Sequence, residues 1–481
     1  MSDASSIEAL PTLRRRDWLI RAGGGCGVLA LHSLLCGQNS ANPLAVRQPH
    51  FAAKAKSIIW LFMNGGPSHI DTWDYKPALT KANGKTFEGF DTTTGFFDTA
   101  VGPLLQSPFA FQQHGQSGAW VSSLFPYLSQ HVDKMAFVKS FRTKSNNHSP
   151  ALFMANTGDT RMGRPCAGSW LTYGLGTENQ NLPGFVVMTD AQGRGMPKGH
   201  ATNWSNGFLP GAYQGNWVRS QSGTPIANLK RPANLTPEAQ RRRLDLLAEL
   251  NNAHLAEHPG QPELEARIAS FELAYRMQSE ALDCFDIAKE PEKIRQIYGL
   301  DDERCSHFGR QCLLARRMVE RGVRFIQIYS GGTANDQSWD GHADIRKNHT
   351  EFAGETDRPI AGLLADLEQR GLLEQCLVIW GGEFGRLPVS QLSNGLPTGR
   401  DHNPHAGCFW FAGGGVQGGT SIGETDELGH KAVVDPVDIH DIHATILHLA
   451  GLDHRRLTYL HNGRNFRLTD VAGKVLKTLL A

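Results

Sequence analysis

Four short stretches of the sequence collect the acidic and histidine side chains that could do chemistry. They are "NGGPSHIDTWD" with His69, Asp71 and Asp74, "NNHSP" with His148 and Ser149, "NDQSWDGHADIRKNH" with Asp336, Asp340, His342 and His349, and the pair "WGGEFGR" and "GRDHNPHAG" with Glu383, Asp401, His402 and His405. Mixed carboxylate and imidazole ligands suit a divalent cation such as Zn²⁺, Mn²⁺ or Ca²⁺. Such an ion polarises a phosphoryl or sulfuryl oxygen and generates hydroxide near neutral pH.

Glu383 and Arg386 follow the apolar run "CLVIW" in a glycine-rich turn. An acidic residue directly after a buried strand contributes little to structure and is well placed for a ligand, so we predict a functional Glu383. Arg386 has two interpretations. It could bind a tetrahedral anion through a bidentate fork, or it could form a salt bridge at the end of the strand.

Other polar residues have simpler structural interpretations. We expect His349 on a helix surface, and Asp401 with His402 could cap a turn. The three histidines of "VDIHDIHATILHLAG" are expected to serve helix packing or to lie at the surface; they are His440, His443 and His448.

Several short apolar runs would position these loops. They are "SIIWLFMN", "MAFVKSF", "GFVVMTD", "VRFIQIYSGG", "CLVIWGGEFG" and "CFWFAGGG". Continuous apolar runs bounded by glycine and polar turns are typical of strands covered on both faces, as in a parallel sheet. Helical patterns alternate with them, in "ELEARIASFELAYRMQSEAL", "CLLARRMVERG" and "PIAGLLADLEQRG". The order predicts an α/β fold with a doubly wound, mostly parallel sheet flanked by helices. Ligands then bind at the carboxyl ends of the strands.

The stretch "NNHSPALFMANTGD", residues 146–159, reads as a strand, a polar turn and a helix opened by Pro150. This layout places a reactive group at a helix N-terminus, where free N–H groups favour negative charge. Residues from about 190 to 262 differ, being rich in Asn, Gln, Gly and Pro before a charged helical pattern. We predict that they form an irregular cap insertion over the site.

The composition is that of an ordinary globular protein, with 481 residues, 40% of them hydrophobic and 20% charged. A formal net charge of +1 gives no indication of nucleic acid as a partner. Arg14, Arg15 and Arg16 precede a short, weakly apolar stretch that resembles a twin-arginine export signal. We therefore expect residues 1–45 to be signal peptide and linker, no transmembrane span, and a periplasmic or secreted protein exported in folded form. A disulfide among Cys284, Cys305 and Cys312 is permitted there.

Several motifs in order resemble a known family. "GGPSHIDTWDYKP", "ARRMVERGVRFIQIY", "WDGH", "GEFGR" and "GRDHNP" are similar to the exported bacterial domain-of-unknown-function 1501 family, within the sulfatase-like, alkaline phosphatase-like superfamily. The resemblance runs from about residue 57 to the C-terminus and implies one such domain over residues 46–481. It implies metal ligands at Asp71, Asp340, His342, Glu383 and His402, with His405 as a second match for the last.

The same resemblance makes the 146–159 stretch a changed nucleophile loop. Sulfatases carry C-S-P-S-R-A-A-L-L-T-G there, whose Cys becomes formylglycine. "HSPALFMANTG" has His148 at that position and Leu152 where the motif has Arg, and Phe384 stands where sulfatases have a His. A histidine cannot form formylglycine, so ordinary sulfatase chemistry is not expected.

Three roles remain open for this loop. His148 could be a metal ligand, with metal-bound hydroxide as the attacking group, and this is the role we favour. It could be a nucleophile that forms a phospho-imidazole, or Ser149 could attack instead. The leading hypothesis is an exported, metal-dependent hydrolase of a small-molecule or glycan phosphate or sulfate ester. The alternative is a non-catalytic member of the fold that binds an anionic glycan or a partner protein; convergence of the ligands about 2.0–2.6 Å from one point would argue against it.

Overall fold

The computed structural model describes residues 42–190, 192–221, 226, 231, 234–258 and 262–481. Leu44–Ala481 forms one compact unit. The predicted export signal, with Arg14, Arg15 and Arg16, lies outside the described residues. Among the helices that the structure does describe, none has the length and apolar character needed to cross a bilayer.

An eight-stranded sheet occupies the centre of this unit. Its strands are β1 (Ser57–Met63), β2 (Met135–Val138), β3 (Phe185–Met188), β4 (Asn216–Trp217), β5 (Phe325–Ser330), β6 (Cys376–Gly381), β7 (Phe409–Ala412) and β8 (Ser421–Ile422), in the spatial order β8-β2-β7-β6-β1-β5-β3-β4. All neighbours pair in parallel except β7, which runs antiparallel to both β6 and β2. The predicted mostly parallel α/β sheet is thus confirmed, and each predicted apolar run forms a strand.

Both faces of the sheet are covered, because the side chains of β1 alternate between two hydrophobic clusters. Ile59 and Leu61 belong to one cluster, while Ile58 and Trp60 belong to the other. All four are buried. A strand buried on both faces needs no polar alternation, which explains the unbroken apolar run in the sequence.

The α-helices of the described residues are α1 (His69–Thr72), α2 (Pro77–Lys81), α3 (His148–Thr157), α4 (Ala167–Leu175), α5 (Pro237–Glu257), α6 (Pro262–Phe285), α7 (Glu292–Ile297), α8 (Ser306–Glu320), α9 (Ile345–Gln369) and α10 (Ile439–Leu449). Helices α8 and α9 pack on one face of the sheet, through Leu313 and Leu364. Helices α3, α4 and α10 pack on the other, through Leu152, Leu171 and Ile442. This two-sided arrangement is that of a doubly wound α/β fold.

Short strands outside the central sheet border the loops. They are Val101–Leu104, Phe111–His114, Ala119–Ser122, Phe141–Arg142, Gly385–Arg386, Val389–Ser393, Leu396–Gly399, His402–Asn403, Glu424–Thr425, Ala432–Val434, Val437–Asp438, Tyr459–His461 and Arg464–Phe466. Gly385–Arg386 pairs antiparallel with His402–Asn403, which sets Arg386 opposite His402. Within residues 190–262, the two-residue strand β4 adds to the edge of the central sheet beside β3, and the cap insertion over the site stays a prediction.

The structure corrects one expectation and answers one question that the sequence left open. His349 is fully buried within α9 rather than on its surface, and its Nε2 accepts a hydrogen bond of 2.8 Å from the Ser68 backbone N–H. The cysteines at 284, 305 and 312 are buried free thiols in the structure, so no disulfide joins them.

Candidate metal centre

Four side chains converge beyond the carboxyl ends of the central strands. Asp340 and His342 come from the loop after β5, His148 from the N-terminus of α3, and His402 from the short strand opposite Arg386. One ligand atom from each lies within 4.8 Å of all the others, and all four residues are buried. Sequence predicted all four of these residues as candidate ligands, and the fold brings them together from segments up to 254 residues apart, between His148 and His402.

Asp340 lies at the middle of this cluster and is fully buried. Its Oδ1 is 2.8 Å from His342 Nε2 and 3.2 Å from His402 Nε2. Its Oδ2 is 3.0 Å from His148 Nε2. One carboxylate therefore faces three imidazole Nε2 atoms.

Each of the three imidazoles is held from behind through its Nδ1. His148 Nδ1 lies 2.6 Å from Glu383 Oε1, and His402 Nδ1 lies 2.5 Å from the backbone oxygen of Asn146. His342 Nδ1 lies 2.5 Å from Gln391 Oε1. Each of these oxygens can accept a hydrogen bond from an Nδ1–H group, which leaves all three Nε2 atoms facing Asp340.

The imidazole nitrogens and carboxylate oxygens that face one another in the cluster are suited to binding a cation. His342 Nε2 and His402 Nε2 are only 2.8 Å apart, and two lone pairs at that distance repel unless a proton or a cation lies between them. His148 Nε2 is buried and makes no hydrogen bond to the described residues, although Asp340 lies close by. Three imidazoles and one carboxylate, each imidazole backed by an acceptor, form a donor set typical of protein metal sites.

The electrostatics of the protein without metal keep Asp340 ionised. Burial acts to raise the pKa of Asp340, but the charges of Arg386 and His148 hold it well below its usual range. Burial, with the neighbouring His148, lowers the pKa of His402 well below its ordinary value. Burial also acts to lower the pKa of His148, yet Asp340 and Glu383 raise it overall. Protonation of His402 would add a second positive charge beside His148 and is therefore unfavourable. The carboxylate of Asp340 stays negatively charged.

Glu383 lies behind the cluster rather than in it. This buried carboxylate accepts the His148 Nδ1–H and, at 2.9 Å, the backbone N–H of Gly65 at the end of β1. The residue predicted as a ligand thus orients a ligand instead, because the turn after β6 directs its side chain toward the back of the His148 ring.

Arg386 is fully buried and its guanidinium is engaged by the protein. Its Nε donates to Gly66 O at 2.8 Å, its Nη1 to Arg400 O at 3.2 Å, and its Nη2 to Gly65 O and, at 2.7 Å, to Asp340 Oδ1. Of the two interpretations that the sequence allowed, the geometry corresponds to the salt bridge at the strand end. An open fork for a substrate anion is absent at this residue.

Asp71 and His405 do not join the cluster. The Asp71 carboxylate is buried against Arg400, with Oδ2 2.7 Å from Arg400 Nε, and it accepts the Ser68 hydroxyl at 2.5 Å. That pairing commits the carboxylate to holding α1 in place. His405 is exposed and lies beside His430, with ring centroids 6.5 Å apart. The predictions of both residues as metal ligands are therefore corrected.

Ser149 is half-buried in the first turn of α3. Its hydroxyl makes no hydrogen bond to the part of the chain that the structure describes. His148, beside it, uses both ring nitrogens within the cluster, which fits a ligand better than a nucleophile. Among the described residues, no base forms a hydrogen bond with the Ser149 hydroxyl.

Lys198 was missed from the sequence. Its ammonium lies 3.2 Å from Asp340 Oδ2 and 2.8 Å from Asn335 Oδ1, and its side chain is 23% exposed, so it carries positive charge to the solvent side of the cluster. A single lysine in a glycine-rich segment gives no pattern that would mark it. Gln391 and Asn146 were also missed. They contribute only oxygen atoms that accept hydrogen bonds from imidazole Nδ1–H groups, and no sequence pattern marks such a role.

Phe384 packs its ring against two of the ligands. The ring centroids lie 5.0 Å from that of His148 and 4.6 Å from that of His402. An apolar side chain thus fills the place where the resemblance predicted another histidine. It shields the imidazoles from water on that side.

The sequence matches a known family, and the fold is similar to that of several known proteins. A family model described as "Protein of unknown function (DUF1501)" matches residues 55–480. Lipoteichoic acid synthase LtaP from Listeria monocytogenes has 9% identity and a TM-score of 0.36, over 91% of this chain and 80% of that chain. PsFucS1 sulfatase from Pseudoalteromonas sp. has 13% identity and a TM-score of 0.33, over 88% and 70%. Alkaline phosphatase from the Antarctic bacterium TAB5 has 11% identity and a TM-score of 0.33, over 80% and 97%. No curated protein matches the sequence.

Proposed function

This chain belongs to the DUF1501 family, a family of proteins of unknown function, and we propose that it is a metal-dependent hydrolase of phosphate or sulfate esters. The observation that supports this proposal most is the convergence of three imidazole Nε2 atoms on the carboxylate of Asp340. No formylglycine takes part, because His148 occupies the place of the cysteine and lies within the cluster.

The donor set favours Zn²⁺ or Mn²⁺ over Ca²⁺. Calcium prefers six to eight oxygen ligands, whereas imidazole nitrogen suits zinc and other transition metals. His148, His342, His402 and Asp340 would hold the ion. One ligand atom of each residue lies within 4.8 Å of the other three.

A divalent ion held by these residues would act as a Lewis acid on the ester and lower the pKa of a water molecule. The chain's own residues would do the rest. Glu383 and the Asn146 carbonyl keep the protons of His148 and His402 on Nδ1, so that both Nε2 atoms stay free to bind. Lys198 places an ammonium group at the solvent side, where it would attract the negatively charged oxygens of the ester.

The non-catalytic alternative is less well supported by this geometry. A module that binds an anionic glycan needs positive charge at its surface but no buried set of imidazole lone pairs. Four converging ligands, three of them imidazoles held from behind, are instead what a metal site requires.

Metal content and hydrolysis test the proposal together. Protein purified without chelator should contain nearly one equivalent of zinc or manganese, and should hydrolyse p-nitrophenyl phosphate or p-nitrophenyl sulfate. Asp340→Asn and His402→Gln should each lose the metal and the hydrolysis, because each removes a ligand atom. Elemental analysis and release of p-nitrophenol measure the two effects, and circular dichroism confirms that the variants are folded.

Asp336→Asn is the matched control, since Asp336 lies in the same loop but is exposed. It should keep both metal and activity. Folded protein that binds neither Zn²⁺ nor Mn²⁺ would refute the metal centre. Protein with stoichiometric metal and no hydrolysis of phosphate or sulfate esters would refute the hydrolase and favour the binding module.

A further inference from the structure

Two adjacent phenylalanines, Phe96 and Phe97, are exposed beside the metal cluster. Their exposed fractions are 47% and 38%. The Phe96 ring centroid lies 5.7 Å from that of His402, and Phe97 stands edge-on to His342 at 5.1 Å. The two phenylalanine rings are 5.0 Å apart and nearly perpendicular. They form an aromatic lip, the pair Phe96–Phe97, next to two of the four ligands.

The aromatic lip is held by the residues that position His402. The Phe97 N–H donates to Asp401 Oδ2 at 2.6 Å, and Asn146 Nδ2 donates to Gly95 O at 2.7 Å. Asp401 directly precedes His402 in the chain, and the Asn146 oxygen accepts the His402 Nδ1–H. The backbone that carries both rings is thus tied to the metal cluster rather than left free in solvent.

The lip contributes nothing to the described hydrophobic cores. Neither Phe96 nor Phe97 belongs to any of the three core clusters or packs against them. Leaving two large apolar rings in water has no benefit for folding, and adjacent exposed apolar side chains of this kind commonly mark a binding surface.

We propose that the aromatic lip binds a flat apolar face on the alcohol portion of the substrate ester. This inference rests on the proposed hydrolase function. The anionic oxygens would face the metal and Lys198, while the alcohol portion would contact the rings at the stacked or edge-on distances of about 4.5–7 Å that aromatic pairs prefer. An aryl group and the apolar face of a sugar ring share this chemistry. The lip therefore determines specificity and takes no part in bond cleavage.

Binding of phosphonates, which are not hydrolysed, tests the lip without relying on turnover. Titration calorimetry on metal-loaded protein should show phenylphosphonate bound about three- to tenfold more tightly than methylphosphonate, the range expected for one favourable ring contact. A C-glucosyl phosphonate in the same series separates the two sources of the flat face. The tighter of the phenyl and glucosyl compounds identifies the substrate class.

The double variant Phe96→Ala/Phe97→Ala should bring the ratio of the two affinities close to one. Phe96→Leu/Phe97→Leu keeps apolar bulk without a flat ring and should give an intermediate ratio. Phe51→Ala is the matched control, because Phe51 is 37% exposed and packs against His448 instead, and it should keep the wild-type ratio.

The failures of the two proposals are distinguishable. A ratio near one in the wild-type protein, an unchanged ratio in the alanine variant, or no binding of any phosphonate overturns the lip as a subsite. Hydrolysis of phosphate esters together with such a result would leave the proposed function intact. Selective phosphonate binding without any hydrolysis would support the lip and refute the hydrolase.

Discussion

His148 shows how single contacts decide the role of a residue. It opens α3, where free N–H groups and the helix dipole would suit an anionic nucleophile. Its ring is instead held by Glu383 on one nitrogen and directed at Asp340 by the other. A carboxylate behind a ligating imidazole raises the basicity of the ligand and fixes its orientation. These contacts support the proposed role of His148 as a ligand rather than as a nucleophile.

Glu383→Gln tests this arrangement at the level of one atom. The amide oxygen can still accept a hydrogen bond, but the negative charge behind His148 is lost. We expect the affinity for Zn²⁺ to fall about 10–100-fold, the usual effect of losing such an outer carboxylate. Competition with a zinc-binding dye measures the affinity.

Glu424→Gln provides the control for that substitution, since Glu424 is exposed. It should leave the zinc affinity unchanged. An affinity in Glu383→Gln equal to that of the wild-type protein would contradict the supporting role of Glu383.

At the residue scale, the sequence indicated which acidic and histidine residues would lie close together. It did not indicate which would be ligands, which would support a ligand and which would form a salt bridge. Asp340, His342 and His402 follow strand ends in recognisable motifs, so their candidacy was visible. Asp71 looked equivalent, yet Arg400, distant in sequence, takes up its carboxylate. Lys198 carried no signal, because its role depends on where its segment folds back over Asp340.

At the element scale, the turn after β1 connects the sheet to the site. Gly65 donates its N–H to Glu383 and accepts a hydrogen bond from Arg386, so one turn contacts both residues that steady the cluster. Its φ of +109° is one that residues with a side chain rarely adopt. A Cβ there would lie 2.7 Å from the backbone nitrogens of Asp340 and Trp339.

Gly65→Ala should therefore both destabilise the fold and displace Asp340. We expect a loss of about 2–6 kcal/mol in the free energy of unfolding, from backbone strain and from overpacking. We also expect a clear loss of bound metal. Urea unfolding and elemental analysis measure the two effects.

Gly84→Ala separates strain from contact, because Gly84 has a φ of +78° and open space around its Cβ position. It should cost only the backbone strain, about 1–2 kcal/mol, and keep its metal. Equal losses of stability in the two variants would show that the close approach of Gly65 to Asp340 has no consequence.

The central strands were predictable because each is an apolar run long enough to be buried on both faces. The direction of β7 was not, since an antiparallel neighbour needs the same apolar residues as a parallel one. The pairing of Gly385–Arg386 with His402–Asn403 is equally invisible, because two-residue strands carry no periodicity. This pairing sets His402 beside Arg386, so the last ligand is positioned by structure that sequence patterns do not reveal.

At the scale of the whole molecule, a sheet covered on both faces buries polar groups as well as apolar ones. Burial lowers the pKa of His349 and His443 to about 3, and that of His430 to about 4. His349 accepts the Ser68 N–H and His443 lies 2.8 Å from the Ala155 oxygen, so both are built into the fold as neutral rings.

The export predicted from the N-terminus stays a prediction, because that segment lies outside the described residues.

These neutral histidines make the stability of the protein depend on acidity in a defined direction. Their folded-state pKa values lie below the ordinary value of about 6.5, so between pH 6.5 and about 3 the unfolded chain binds protons that the folded chain does not. Stability is therefore full above pH 6.5 and falls as the pH decreases. Each such histidine should lower the free energy of unfolding by about 1.4 kcal/mol for each pH unit below 6.5.

His349→Gln removes one of these titrating histidines, because the amide oxygen can accept the Ser68 N–H without titrating. Urea unfolding at pH 7.5 and pH 5.5 should then show a smaller loss of stability in His349→Gln than in the wild-type protein, by about 1.4 kcal/mol. His254→Gln, on the exposed surface of α5, is the matched substitution. Acid would also release the proposed metal from both proteins, so only the difference between them counts. Equal losses of stability in His349→Gln and in the wild-type protein would refute a neutral, buried His349.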